Sequence, residues 1–403
     1  MSGHEGQPAK AAKTDINLDN TAVAFARMSD RDLMQAYWLF KVIGHPLLAK
    51  YGPRLAVLSL RLKLPIKPLV KRTVFAQFCG GESIAECQSR IGELAQNGIG
   101  TILDFASEGG RSESEFDQVV AEIKETIDVA AQNPNVPFAV FKPSGIARHE
   151  ILEKKDRHLP LTAGEKGEYE RIEQRFDAIC SYAFAKDVRI LVDAEETWIQ
   201  ATIDRIVRDL MRRFNRDRAI VYNTLQMYRK DRLDFLKTCY GDAISRNYKL
   251  GVKLVRGAYL EKETARAKVF SYRNPLHLSK EATDQDYNLA LRYCAEHKDR
   301  IAVCAGTHNE RSTKFLTQLM AEFGIARDDP NFSFAQLLGM SDHLTYNLVH
   351  EGYRVCKYVP YGPLENLLPY LARRAEENSS MKGQTSRELS LLSQELERRK
   401  LQV

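Results

Sequence analysis

Polar and charged groups close almost every short apolar run in this sequence: Glu82, Asp104, Lys142, Asp193 with Glu195 and Glu196, Gln226, Lys253 with Arg256, Thr307-His308-Asn309, and Tyr358. Such a group costs desolvation unless it is paired or faces a cavity. One of them is ordinarily a satisfied structural residue. A set at successive run ends predicts a large polar-lined site, and the cations among them predict a bound anion. Arg373-Arg374 adds two guanidinium groups, with Glu377 one turn further on. Tandem arginines on a helix are usually a solvated face, and neighbours on a helix project ~100° apart, so both reach one mouth only if the helix crosses it. Two guanidinium forks beside a lysine suit a carboxylate. Lys142 also has a second reading, as a Schiff-base nucleophile. No G-x-G-x-x-G opens a helix after a strand, and G-x-x-x-x-G-K-[ST], H-E-x-x-H and G-x-S-x-G are absent.

These groups need a scaffold that brings them together. Val/Ile/Phe-rich runs predict eight strands, at Val74–Phe78, Gly100–Phe105, Phe138–Phe141, Arg189–Asp193, Arg218–Leu225, Leu250–Val255, Ile301–Ala305 and Phe332–Leu338. Between them lie segments with apolar residues at three- and four-residue spacing, such as Glu115–Ala131 and Glu168–Ala185. Strands alternating with helices predict an α/β protein, and eight such units fit a closed (β/α)8 TIM-type barrel. Its site then lies at the carboxyl ends of the strands. A further strand-like piece, Arg354–Val359, is followed by the turn residues Pro360, Gly362 and Pro363. The expected organisation is a disordered leader over 1–26, a basic amphipathic helical extension over 27–72, the catalytic barrel over 73–380 and a solvated helical tail over 381–403.

Composition fits a globular chain: 403 residues, 44% hydrophobic and 28% charged, which disfavours disordered and collagen-like classes. The charge is uneven. From Leu33 to Gly81 there is no acidic residue, while Lys41, Lys50, Arg54, Arg61, Lys63, Lys67, Lys71 and Arg72 all fall there. Against a net charge of +6 this leaves the remainder slightly acidic. The segment also carries Trp38, Leu39, Phe40, Val42, Leu47 and Leu48, so it reads either as a helical cap on the core or as a surface for an anionic membrane. Nucleic acid is not an expected partner, since no binding motif is present. Seven cysteines, at 79, 87, 180, 239, 294, 304 and 356, have neither C-x-x-C nor zinc spacing and read as buried thiols of an intracellular protein. No apolar signal region opens the chain.

Val252-Lys-Leu-Val-Arg-Gly-Ala-Tyr259, Gly306-Thr-His-Asn309, Gln336-Leu-Leu-Gly-Met340 and the stretch Tyr358 to Asn378 occur in one order. With Phe78-Cys-Gly-Gly-Glu82 ahead of them, they resemble the proline dehydrogenase family to about residue 390. The resemblance is nearer to its monofunctional, mitochondrial-type branch than to the bifunctional bacterial enzymes. It implies FAD-dependent oxidation of L-proline to Δ1-pyrroline-5-carboxylate, by hydride transfer to flavin N5 and electron delivery to a membrane quinone. Such an enzyme works in the bacterial cytoplasm at the inner membrane face, or at the mitochondrial inner membrane.

The resemblance also implies roles. Lys142, Arg373 and Arg374 hold the proline carboxylate, with Asp193 as an aspartate near that lysine. Tyr358 packs on the ring and disfavours hydroxyproline, Leu337 is an apolar wall, and Glu82 pairs with the first arginine. For FAD it implies Gln226, Lys253, Arg256, Gly257, Ala258, Lys280, Thr283, Thr307, His308, Asn309 and Glu377. Two departures stand out: K-L-V-R replaces the R-L-V-K of bifunctional enzymes, and Leu260 replaces a tryptophan of some members. Hydroxyproline dehydrogenase on the same scaffold is the nearest alternative. A Schiff-base lyase using Lys142 is a more distant one, and a non-catalytic flavin binder the third. The basic segment 33–81 would then serve as a peripheral membrane contact.

Overall fold

The computed structural model describes residues 16–43, 67–106, 112–380 and 384–400. Eight parallel strands close into a barrel in sequence order: β1 Gly100–Phe105, β2 Phe138–Phe141, β3 Arg189–Val192, β4 Val221–Gln226, β5 Leu250–Val255, β6 Ile301–Gly306, β7 Phe332–Leu337 and β8 Val355–Tyr361. The seam pairs β1 with β8, from Gly100 opposite Cys356 to Phe105 opposite Tyr361. The strands are buried almost throughout, as expected when helices cover one face and side chains fill the other. Ile102, Phe138, Leu191, Tyr222, Cys304 and Cys356 pack inside the barrel. Ile203, Val207, Leu316 and Leu348, from the outer helices, pack against the other face of the strands. All seven cysteines are buried.

The expected count of eight is met with one exchange of members. Val74–Phe78 is helical rather than a strand: Lys71–Phe75 runs on into Ala76–Phe78, with Phe75 and Phe78 buried at a three-residue spacing. Short apolar runs fit either period, and here packing against Phe40, Leu364 and Leu367 selects the helix. The missing strand is the supposed extra piece, which runs to Tyr361 as β8. Pro360 sits within it, one residue from its end, where a missing N–H is tolerated.

Within the expected leader, residues 16–26 are ordered against the barrel. Ile16 and Leu18 are buried against the barrel's outer core, and Asn347 Nδ2 donates to the carbonyls of Leu18 (3.2 Å) and Asn20 (3.3 Å). Residues 1–15 lie outside the described residues, as do 44–66 of the basic extension. The extension's first helix, Asp30–Ile43, buries Leu33, Ala36 and Phe40 beside Leu391, Leu392 and Leu396 of the carboxyl-terminal helix Gln384–Arg398. That last helix is therefore a packed element on one face, not a solvated tail.

Helix starts follow the local sequence. Ser83, Ser112, Thr162, Ser279 and Asn309 each cap a helix by accepting from an N–H of its first turn. The loop after β7 is tight. Gly339 adopts φ +73°, and a Cβ there would lie 2.2 Å from the Gln77 carbonyl oxygen. Gly339→Ala is expected to cost about 3 kcal/mol or more, read as a lowered urea midpoint.

Candidate functional site

All eight strand ends converge on one cavity of about 1130 Å³. Asp104, Lys142, Asp193, Gln226, Lys253, Thr307, Leu337 and Tyr358 all line it, and the helix Leu364–Ser380 crosses its mouth with Arg373 and Arg374. That crossing meets the geometric condition for both arginines to serve one site. Leu364, Leu367 and Leu371 bury the face of the helix that Arg374 shares, and Arg374 is itself buried, 5.1 Å from the Tyr370 ring centre.

The carboxylates pair in an order the sequence did not indicate. Lys142 Nζ meets Asp104 Oδ1 at 2.5 Å, whereas Asp193 Oδ1 meets Lys253 Nζ at 2.5 Å. Asp193 is thus the ion-pair partner of Lys253, while its charge also bears on Asp104, the partner of Lys142. Tyr358 OH donates to Asp193 (2.9 Å) and accepts from Lys253 Nζ (2.9 Å), which also stands 4.3 Å from the tyrosine ring centre. Burial, reinforced by the Asp193 charge, keeps the phenol well above its ordinary pKa, so Tyr358 stays protonated. Burial also raises the Asp104 carboxyl, against the pull of Lys142. Asp104 closes β1 as the one charge in an apolar strand; that signal was present, but the resemblance gave it no role.

Lys142 is held from behind. Glu195, pushed up to about 7 by burial, accepts from Ser144 N (2.9 Å) and Oγ (2.5 Å), in the turn just after Lys142. Burial opposes the ionisation of neighbouring Glu196, but hydrogen bonds from His149 and Lys262 pull it down to about 2. Gln226 Nε2 donates to the Glu195 carbonyl (2.6 Å), and Gln226 Oε1 accepts from Ala258 N (3.4 Å).

The other half of the cavity is also cationic. Arg256 reaches Asp284 (2.6 Å), Thr307 Oγ1 (2.6 Å) and Ser312 Oγ (2.9 Å) with three different nitrogens. Lys280 stands 3.3 Å from the same Asp284. Next to Arg256, Gly257 takes φ +132°, and a Cβ there would meet the Tyr228 ring at 2.5 Å. Asn309 caps the helix Glu310–Glu322, whose first turn faces the cavity. Asp284 and Ser312 were missed, because only the fold brings their two helices to Arg256. Tyr370 was missed too, although its place one turn before Arg374 was a usable signal.

His308 lines the wall between the two halves. Its Nε2 accepts from Leu337 N (3.4 Å), which leaves the proton on Nδ1 to donate to Ser341 Oγ (2.9 Å). Ser341 is buried with a left-handed backbone, φ +52°, and its N–H donates to Glu388 of the last helix at 2.5 Å. Burial, with Lys357 and Arg374 adding to it, lowers the His308 pKa to about 3. The folded protein then holds fewer protons at His308 than the unfolded chain, whose histidine titrates near ~6.5. Its stabilisation is complete above that pH and is lost as pH falls toward 3. From pH 7 to 5, wild type is expected to lose up to about 2 kcal/mol more than His308→Gln, measured by urea unfolding at each pH.

Two expected site residues are, among the described residues, outside the cavity's lining. Glu82 pairs with Lys71 and, at 3.7 Å, Lys67, and accepts from Leu364 N (3.0 Å); its described ion-pair partners are these two lysines. Thr283 is buried and bonds the Ser279 carbonyl. The Glu377 side chain lies outside the described residues.

A closed parallel barrel whose strand ends present paired lysines and carboxylates beneath two arginines has the architecture of a TIM-barrel enzyme. Residues 87–387 match the family model for proline dehydrogenase, so the chain belongs to the proline dehydrogenase family. It is 41% identical to the carbapenem antibiotics biosynthesis protein CarD of Pectobacterium carotovorum subsp. carotovorum, over 80% of this chain and 83% of that one. It is also 33% identical to the mitochondrial proline dehydrogenase 1 of Dictyostelium discoideum, over 98% of this chain and 77% of that one. A Xenopus laevis hydroxyproline dehydrogenase is 28% identical over 99% of this chain and 93% of its own length. Among solved structures, proline utilization A (PutA) from Bdellovibrio bacteriovorus shares the fold. The TM-score is 0.71 at 19% identity, covering 94% of this chain and 40% of that one.

Proposed function

We propose that this protein oxidises L-proline to Δ1-pyrroline-5-carboxylate with FAD as cofactor. The observation that carries the reading is the convergence of Arg373, Arg374 and Lys142 on the cavity that Tyr358 and Leu337 also line. The roles follow from chemistry. The three cations hold the substrate carboxylate, and the Tyr358 ring and Leu337 bracket the pyrrolidine ring. Asp193 and Lys253 fix the Tyr358 hydroxyl from both sides, so the ring cannot swing aside to admit a 4-hydroxyl group. This fit favours proline over hydroxyproline. The cavity exceeds the roughly 300–1,000 Å³ that holds a drug-sized ligand, which leaves room for a dinucleotide beside a small amino acid.

The cationic half fits such a cofactor. Bare backbone at Gly257, the charges of Arg256 and Lys280 and the amino end of the Glu310–Glu322 helix are donors suited to a diphosphate. Lys253, Gln226, His308 and Thr307 would border the ring system. Bound there, the flavin supplies the hydride acceptor, and a nearby lysine stabilises the charge gained. Lys142 then acts as a cation rather than as a nucleophile, consistent with its pairing to Asp104.

We further propose that electrons pass to a membrane quinone and that the protein works intracellularly at a membrane surface. The described part of the 33–81 segment supports contact there: Trp38, Val42 and Leu69 are exposed, with Lys41 4.5 Å from the Trp38 ring centre. Among the described residues no helix is long and apolar enough to cross a membrane.

The test is a visible spectrum of the purified protein, followed by anaerobic addition of L-proline and, separately, trans-4-hydroxy-L-proline. Bleaching of a flavin band by proline first is expected. Preferential bleaching by hydroxyproline would overturn the Tyr358 argument. A protein that takes up no flavin, and that borohydride traps as an imine, would return Lys142 to the role of nucleophile.

A further inference from the structure

The helix Leu260–Val269 buries a carboxylate, and together with the loop after it leaves several large apolar side chains exposed. Glu263 is fully buried and accepts from Thr197 N (2.7 Å) and Oγ1 (2.6 Å). Lys262 bonds Glu196 at 2.9 Å, and Arg266 pairs with Glu153 and stacks 4.2 Å from the Trp198 ring centre. The large apolar side chains point to water. Leu260 is 58% exposed, Val269 75%, Phe270 62% and Leu278 95%.

This exposure is fixed in place. Leu276 is buried, Arg229 forms a bridge with it, and backbone bonds run from His277 N to Tyr228 O (2.7 Å) and from Lys230 N to Pro275 O (3.1 Å). An amphipathic helix normally buries its apolar stripe and shows its charges. Leaving large apolar side chains exposed on a pinned element costs free energy unless something apolar covers them.

The position and charge of this lip select the cover. Its first residues continue from Ala258 and Tyr259 in the cavity wall, so it borders the cavity mouth. Lys268 and Arg273 are exposed beside the apolar group, and Lys262 and Lys280, although paired with Glu196 and Asp284, are also exposed there, against Glu261 and Glu281. A second copy of this lip would bring like charges together, and the basic segment 44–66 carries the same sign. An anionic bilayer complements both features, taking the apolar side chains among its acyl chains and the cations among its headgroups.

We infer that the 260–278 lip docks on an anionic lipid surface and sets the cavity mouth against the membrane. The docking stands by itself. Its benefit, a short path from the site to an acceptor dissolved in the bilayer, rests on the function proposed above.

Because every native cysteine is buried, Phe270→Cys gives one accessible thiol for an environment-sensitive fluorophore. The flavin-loaded full chain, labelled there, is mixed with vesicles of phosphatidylcholine alone or with phosphatidylglycerol added. A blue shift with the anionic vesicles only is expected. In co-sedimentation, the triple change Val269→Ser, Phe270→Ser and Leu278→Ser should weaken binding at least about tenfold. Lys268→Glu with Arg273→Glu should weaken it similarly without altering the apolar group.

Proline-dependent reduction of a soluble dye should survive in all of these variants. Loss of dye reduction in wild type would count against the catalytic reading and leave the docking standing. An unshifted probe, or unchanged sedimentation of both variants, would overturn the docking. So would a lip-dependent dimer in light scattering, which would make a second copy the cover.

Discussion

Arg374→Met is expected to raise the KM for L-proline by about a hundredfold or more while flavin content stays at the wild-type level. Arg374 is buried at the cavity wall, so a substrate carboxylate meeting it would be largely desolvated. Losing one partner of a buried, hydrogen-bonded charge pair costs about 2–5 kcal/mol or more, and each 1.4 kcal/mol is tenfold in affinity. Methionine keeps the unbranched apolar stem of the side chain but leaves the carboxylate unanswered. Arg374→Lys restores charge without the planar fork and should recover only part of the loss. Steady-state kinetics with a dye acceptor, beside the flavin absorbance of each preparation, decides it. Wild-type KM in Arg374→Met would remove this residue from the substrate site, and loss of flavin would reassign it to the cofactor.

The second large effect falls on Lys253. Lys253→Met leaves Asp193 as a nearly buried carboxylate without its 2.5 Å partner. Breaking such a pair from one side costs about 3–5 kcal/mol, much more than an exposed pair would. It should appear as a lowered melting temperature together with loss of proline oxidation. The informative companion is Lys253→Met with Asp193→Asn. Removing both charges should return most of the lost stability, because no charge is then stranded. Activity should stay low, because Tyr358 has lost the cation that donates to its hydroxyl and, on the function proposed above, the charge beside the flavin is gone. Equal stability of the single and double variants would show that the pair is solvated and contributes little.

Most of the barrel was legible because seven of its strands are short runs rich in Val, Ile, Leu and Phe, separated by segments of helical spacing. The eighth was obscured by Pro360, which reads as a turn residue in isolation but sits one residue from the end of β8. Val74–Phe78 was misread for a related reason: five residues carry too little periodicity to separate a strand from a helix. The site's members were legible as polar residues at run ends. Their pairings were not, because a sequence does not say which of two strand-end carboxylates stands closer to a given lysine. Barrel geometry assigned Asp104 to Lys142 and Asp193 to Lys253. The same limit hid Asp284 and Ser312, which matter only because two helices converge on Arg256.

The hydrogen bond from Ser341 to Glu388 has a bearing on how the molecule is made. Strand pairing is complete at Tyr361, yet the turn that orients His308 at the cavity wall is anchored by a carboxylate 27 residues later in the chain. During synthesis, therefore, the barrel can close while its catalytic mouth is still unfinished. The wall sets only when the final helix has left the ribosome and folded back across the Asp30–Ile43 helix. A segment made after β8 and one made before β1 thus meet to complete the site, so a chain interrupted shortly after β8 would have the barrel of this enzyme without its settled cavity.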